Sequence, residues 1–355
     1  MVIYSINGAI RVRNQRYVLE DGSASSYLSQ SCQLVNGQYS AKLADFIEEW
    51  SDDLGYEKLS KLLTQVTGSE VLSASGIQSY LVRKAAIISQ EWVLDSQNRV
   101  ETIPVCESIA IYEQESKEVI LMMDDVGVKA QKPHKKIDRV AADAKRLDTT
   151  VVLVQDNAQN YHYATKGIDK TGKIIYGIES AIKDKVCQLH DIEEPIPLIA
   201  ITDGARTIRL TLEKVFGSLV CIILDWYHLQ LKIKTLMTMI ACNKEDKQTY
   251  IDDLKALLWL GEVEQAIHYI DNLPKVRNVI KQKELRDYLE KHQKEIINYD
   301  LRQKANKTIG SGRAEKANDL VIAHRQKKKG MAWARAGSSA LAVIRVNRMN
   351  MKIAA

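Results

Sequence analysis

The chain has 355 residues, enough for two or three domains, and its 45% hydrophobic and 27% charged content is that of an ordinary soluble globular protein. Its apolar runs fall far short of the length that a membrane-spanning helix needs. Five scattered cysteines (Cys32, Cys106, Cys187, Cys221, Cys242) include no C-x-x-C pair. With no secretory leader, they argue against a structural zinc site or a disulfide framework and for a reducing, cytoplasmic location. The net charge of +5 is mild but unevenly spread: from Leu301 onward thirteen Lys/Arg face only Glu315 and Asp319. Such a tail attracts a polyanion, usually a phosphate backbone, although it is also what a solvated helix face looks like.

Residues 1–40 read as a β-ribbon, with Ala9–Val12 and Gln15–Leu19 as strands and Asp21–Gly22 as a turn. Residues 41–95 read as helices. Leu43, Phe46, Ile47 and Trp50 keep helical spacing, as do Leu59, Leu62, Leu63 and Val66, before Thr67–Gly68 ends the segment. Ser73 or Ser75 can cap a further helix through Ile77, Tyr80, Leu81 and Ile87. The pair suggests a helix-turn-helix, with Gln78, Ser79, Arg83 and Lys84 on its outer face for bases and phosphates.

The middle of the chain changes character. Val119–Met123, Val151–Val154, Pro197–Ile201 and Leu219–Leu224 are continuous apolar runs, the pattern of strands buried on both faces. Amphipathic segments lie between them, at Lys135–Arg146, Ile178–Leu189 and Thr207–Phe216. Strands alternating with helices predict an α/β domain around a central sheet, over 110–240. After Asp225 the pattern is helical to about residue 335, which predicts a helical block over 241–300 followed by a basic segment over 301–355.

Acids fall where the strands end. The four runs are followed by Asp124–Asp125, Gln155–Asp156, Asp203 and Asp225. Ligands in open α/β sheets bind beyond the carboxyl ends of the strands. A single Asp there is ordinarily the cap of the next helix. Several gathered at one edge repel each other and stay ionised mainly beside a cation, for which Mg²⁺ with oxygen ligands is suited. Farther on, Gly310-Ser311-Gly312-Arg313-Ala314-Glu315 makes a flexible break before a helix that Ser311 can cap, with Glu315 in the first turn, where the helix dipole alone favours an acid. It is not a phosphate-binding P-loop.

The order strand-Asp, strand-Asp-Gly, strand-Asp-x-x-His, helical block, Gly-Ser-Gly-x-x-Glu resembles the DDE transposases of bacterial insertion sequences. It is most similar to the ISKra type, with the ISLre and Mutator-like groups as relatives. The strings that carry the resemblance are Met122-Met123-Asp124-Asp125-Val126-Gly127-Val128, Thr202-Asp203-Gly204-Ala205, Ile223-Leu224-Asp225-Trp226-Tyr227-His228 and 310–315, with Lys329-Gly330-Met331-Ala332-Trp333 as a closing segment. The resemblance implies an RNase H-like catalytic domain with a mixed central sheet and a large helical insertion, behind a helix-turn-helix-like DNA-binding region.

It further implies that Asp124, Asp203 and Glu315 form the metal-binding, catalytic triad, with Asp125, Asp225 and His228 in support. Asp124 or Asp125 can be the first acid, and the Gly127–Val128 spacing favours Asp124. Family members often carry cysteines in an amino-terminal ribbon. Ala9–Gln30 matches that ribbon without them, which leaves room for a truncated start. Two Mg²⁺ (or Mn²⁺) ions about 3.5–4 Å apart would activate water for strand cleavage and then a 3′-hydroxyl for strand transfer. Arg83, Lys84, Arg313, Arg325, Lys327, Lys328 and Lys329 are the expected DNA contacts. Trp226 and Trp333 are expected to pack, and stacking on an unpaired base is the other use of such rings. The partners implied are terminal-repeat and target DNA and further copies of the chain, in a dimer or larger assembly. An inactive DNA-binding relative and another RNase H-like nuclease are the competing readings.

Overall fold

The computed structural model describes residues 1–355 apart from 20, 21, 23, 27, 29–33, 36, 37, 99–108, 133–144, 190–196 and 355. Its centre is a five-stranded mixed sheet of β5 (Val119–Lys129), β6 (Arg146–Gln155), β7 (Tyr161–Ala164), β10 (Leu198–Thr202) and β11 (Val220–Leu224), in the order β11-β10-β5-β6-β7. β10 runs parallel to both β5 and β11, whereas β6 is antiparallel to β5 and to β7. All four apolar runs fall in these strands, apart from Pro197 and Leu219 at the starts of two of them.

Both faces of the sheet are covered, which is why the runs are continuous rather than alternating. Val119, Leu121, Met123, Leu198 and Ala200 face α4 (Ile178–Leu189) and α5 (Arg206–Phe216), packing on Ile182, Val186, Ile208 and Leu212. Ile120, Met122, Ile199, Ile201 and Ile223 face the other way into a larger core shared with most of the remaining helices. Two helices match their expected ranges closely. The third, at 135–146, lies almost wholly outside the described residues, and its last residue, Arg146, opens strand β6.

The amino-terminal segment forms two short ribbons, β1 (Val2–Ser5) with β2 (Gly8–Arg11) and β3 (Arg16–Val18) with β4 (Ala24–Ser26). Helices α1 (Ala41–Ser51), α2 (Tyr56–Thr67) and α3 (Ala74–Gln97) follow. Gly68 ends α2 in the left-handed conformation, and Ser73, rather than Ser75, caps α3 by accepting from the Gly76 N–H. α3 does not stand apart as a separate reading head. It is 24 residues long, and its buried face (Ile77, Tyr80, Leu81, Ala85, Ile88) packs on the last helix, α12 (Arg335–Ala354), and on the hairpin β8 (Gly167–Ile168) and β9 (Ile174–Tyr176). The Ile168 N–H donates to Ser89 Oγ at 2.9 Å, and a side chain at Gly167 would strike Ser89. The helical region and the α/β domain therefore share one core.

From β11 the chain enters the helical block, α6 (Trp226–Ile240), α7 (Lys244–Trp259), α8 (Val263–Asp271) and α9 (Val279–Lys291), and returns through α10 (Tyr299–Lys304). Ile233, Leu236, Ile240, Leu254, Leu258, Leu285 and Leu289 are its buried stripes. A buried ion cluster fixes the return: Arg302, with no exposed surface, is bonded through both terminal nitrogens to Glu118, which Lys307 also reaches at 3.1 Å. Trp226 lies against Trp259 and Tyr299. No described helix is long and apolar enough to cross a membrane.

Candidate active site

Strand register brings three of the acids level. Ile201 pairs with Met122 and Thr202 with Leu224, so two residues past the first pair and one past the second, Asp203 stands in line with Asp124 and Asp225. β10 and β11 end here, whereas β5 runs on beside β6, so Asp124 projects from a strand whose neighbour on one side has stopped.

Pleat alternation separates Asp124 from Asp125. Asp125 is exposed and turned to the other face, where its Oδ1 accepts from the Thr150 hydroxyl at 2.6 Å. Asp124 is half-buried on the side of the row, and its Oδ2 accepts from Asn318 at 2.6 Å. Burial raises its pKa, the negative charges of Asp203 and Asp125 add to that, and hydrogen bonds from the Asp125 N–H and Asn318 partly offset it. Asp203 holds its place through the Ala205 N–H at 2.8 Å. Gly204 beside it has φ +83°, and an added Cβ would also crowd Leu224 and His292.

Asp225 has a different role. It is 1% exposed and caps α6 through the N–H groups of Tyr227 (2.6 Å) and His228 (3.1 Å). Its second oxygen accepts from the Ser311 N–H at 2.5 Å and from the Ser311 hydroxyl. Burial opposes its charge, but bonds from His228 and Ser311 outweigh it and hold the carboxyl at about 2. The Ser311 hydroxyl is thus engaged by Asp225 and does not cap the following helix as expected. Gly310 permits this approach, because a Cβ there would lie 2.5 Å from the Tyr227 ring.

Glu315 rides on α11 (Gly312–Asn318), which lies across β5 and β6 on the buried small residues Ala314 and Ala317. Its carboxylate is exposed and stands 3.8 Å from His228 Nε2. His228 Nδ1 is 3.2 Å from Asp225, close enough for an ion pair though off the hydrogen-bond line. Asp225 raises the imidazole pKa, burial opposes this, and Asp203 and Glu315 raise it further. His228 therefore bridges Asp225 to the helix of Glu315.

The donors Asp124, Asp203 and Glu315 are hard oxygens, the kind a divalent cation such as Mg²⁺ takes, and Asp203 lies close enough to disturb Asp124. Among the described residues no three acidic, His or Cys side chains converge as a closed cage. Glu315 is the open member, on a long and exposed side chain.

Asp156 leaves the group. Because β6 is antiparallel, Gln155 pairs with Ile120 at the opposite edge of the sheet. There Asp156 closes a turn with Asn160 and His162. The expected DNA contacts also divide. Lys327, Lys328 and Lys329 are exposed, with Lys328 donating to the Asp53 carbonyl. Arg83 is exposed, while Lys84 is paired with Glu48 at 3.3 Å. Arg313 donates to Gln155 and lies over Tyr161. Arg325 is a correction: it is 6% exposed, bonded to the Ser51 carbonyl and seated against the rings of Tyr56 and Trp333, so it holds the core instead of facing a phosphate. Trp226 and Trp333 are both buried.

Four residues near the row escaped the sequence reading. Asn318 follows Glu315 by one helical turn, a spacing that could have flagged it. Tyr288, His292 and Glu295 come from the end of the helical block. His292 bonds Glu295 at 2.5 Å, and Glu295 pairs with Arg209 at 2.9 Å, behind Gly204. No local pattern announces that docking. Compared with known proteins, the chain matches no family model and no curated protein.

Proposed function

We propose that this chain is a DDE transposase, an RNase H-like enzyme that cleaves DNA at the ends of an insertion sequence and transfers the freed strand to a target. The observation that carries the reading is the meeting of Asp124 and Asp203 at one sheet edge, with the Glu315 helix tied to Asp124 through Asn318. A mixed sheet followed by a helical block between Asp225 and Glu315 supports the RNase H-like assignment.

Asp124, Asp203 and Glu315 would hold two Mg²⁺ or Mn²⁺ ions, whose chemistry is to activate an attacking oxygen and stabilise a leaving one. The protein's own part is positional. Asp225 and Ser311 lock the start of α6 to the approach of the Glu315 helix, and His228 carries that order to Glu315. The exposed Lys327–Lys329 run and Arg83 supply cations for the phosphate backbone. Attack by water and then by a 3′-hydroxyl requires no covalent protein intermediate. Two element ends must be brought together, so the working form is a dimer or larger assembly on DNA, in the cytoplasm of a bacterium.

The test is purified protein with Mg²⁺ or Mn²⁺ and DNA carrying the inverted repeats that bracket its gene. Cleavage followed by joining is the expected result. Cleavage without joining would indicate another nuclease, and binding alone an inactive DNA-binding relative.

A further inference from the structure

The helix that carries Glu315 contributes another polar side chain to the acidic row. Asn318 lies one turn later and is 6% exposed. Its Nδ2 donates to Asp124 Oδ2 at 2.6 Å, while its Oδ1 is buried and no described protein group donates to it. The contact with Asp124 fixes which way the amide faces, because turning it over would set an oxygen against the carboxylate and bury two unmatched N–H bonds. An unmatched buried acceptor is destabilising and uncommon in a folded chain unless something in the site supplies the donor. A residue that only pinned the helix to β5 would need the nitrogen alone.

A cation held by acids brings such donors. Mg²⁺ gives up its water reluctantly and keeps several molecules when bound to one or two carboxylates. We propose that Asn318 is a positioning residue for a divalent cation: its amide nitrogen holds Asp124 in one orientation, and its amide oxygen accepts from the cation's bound water. This rests on the metal-dependent reading of the acidic row. Groups that orient metal ligands from outside typically change affinity by about 10- to 100-fold when lost.

The measurement is Mn²⁺ binding to the full chain by calorimetry without DNA, so the readout does not depend on catalysis. Asp203→Ala is expected to abolish saturable binding, and Asn318→Ala to weaken it about tenfold or more. Unchanged binding by Asp203→Ala would overturn the acidic row as a cation site, and this inference with it. Lost binding in Asp203→Ala with wild-type affinity in a folded Asn318→Ala would overturn the role of Asn318 alone. Should Asn318→Ala fail to fold, the near-isosteric Asn318→Leu decides. It keeps the volume and removes both polar groups, so the Mn²⁺-induced rise in Tm should fall below that of the wild type. An equal rise would overturn the proposal.

Discussion

Asp203 follows β10 at one edge of the central sheet, and Asp156 follows β6 at the other. Each stands directly after a buried apolar strand. Asp156 spends its oxygens within six residues: Asn160 donates to both at 2.8 and 3.0 Å, and His162 stands at 3.0 Å. Burial opposes its charge, yet these bonds lower its pKa. Asp203 accepts one local bond, from Ala205, and has Asp124, Asp225 and His228 for neighbours. One acid completes a turn while the other joins a site, and the difference is strand direction. β6 runs opposite to β5 and so delivers its last residue to the edge where β5 begins.

The largest effect should separate this pair outright. Asp203→Ala is expected to cut single-turnover DNA cleavage by about a thousandfold or more, the scale of several kcal/mol of transition-state stabilisation. Asp156→Ala should stay within about twofold, as is usual for substitutions remote from the chemistry. Equal losses would dissolve the functional difference between the edges.

A second contrast tests buried against exposed charge among the cations. Arg325→Ala should cost about 3 kcal/mol in urea unfolding, since it removes a buried group packed against two rings. The salt dependence of DNA binding should keep its slope. Replacing Lys327, Lys328 and Lys329 with Ala should leave stability within about 0.5 kcal/mol and reduce that slope by up to about 3. A reversed pattern would return Arg325 to the DNA face.

The third prediction concerns Asp225. Its folded pKa, about 2, lies below the ordinary carboxylate value, so the stabilisation is present above about pH 4 and lost as pH falls toward 2. Asp225→Asn should lose about 2 kcal/mol near neutral pH, and the gap to wild type should shrink through that acid window. A constant gap across pH would show that the carboxylate charge is not what stabilises this cap.

The smallest effect returns to the far edge. Asp156→Asn should cost less than about 1 kcal/mol, because the turn is partly open to solvent and its bonds are local. It too should be expressed above the ordinary carboxylate pKa and fade as pH falls, since the folded pKa is lowered. A penalty larger than that of Asp225→Asn would overturn the ranking of the two edges.

By itself the sequence determined the buried strands and many of the flanking helices. Apolar periodicity reports burial on two faces or one, and Val119–Met123, Leu198–Ile201 and Ile178–Leu189 needed nothing more. It also determined which residues could be acids in a site. Tertiary structure decided which of them meet. Periodicity is blind to strand direction, so Asp156 looked equivalent to Asp203 until the pairing of β5 with β6 reversed it. Pleat phase turned Asp124 inward and Asp125 outward, which no count of neighbouring letters fixes. Burial of Arg325 and recruitment of Asn318 depend on partners hundreds of residues away in the chain, Ser51 and Asp124, brought close only by the shared core. Acids placed just after buried apolar runs were thus legible as candidates, and register and packing selected among them.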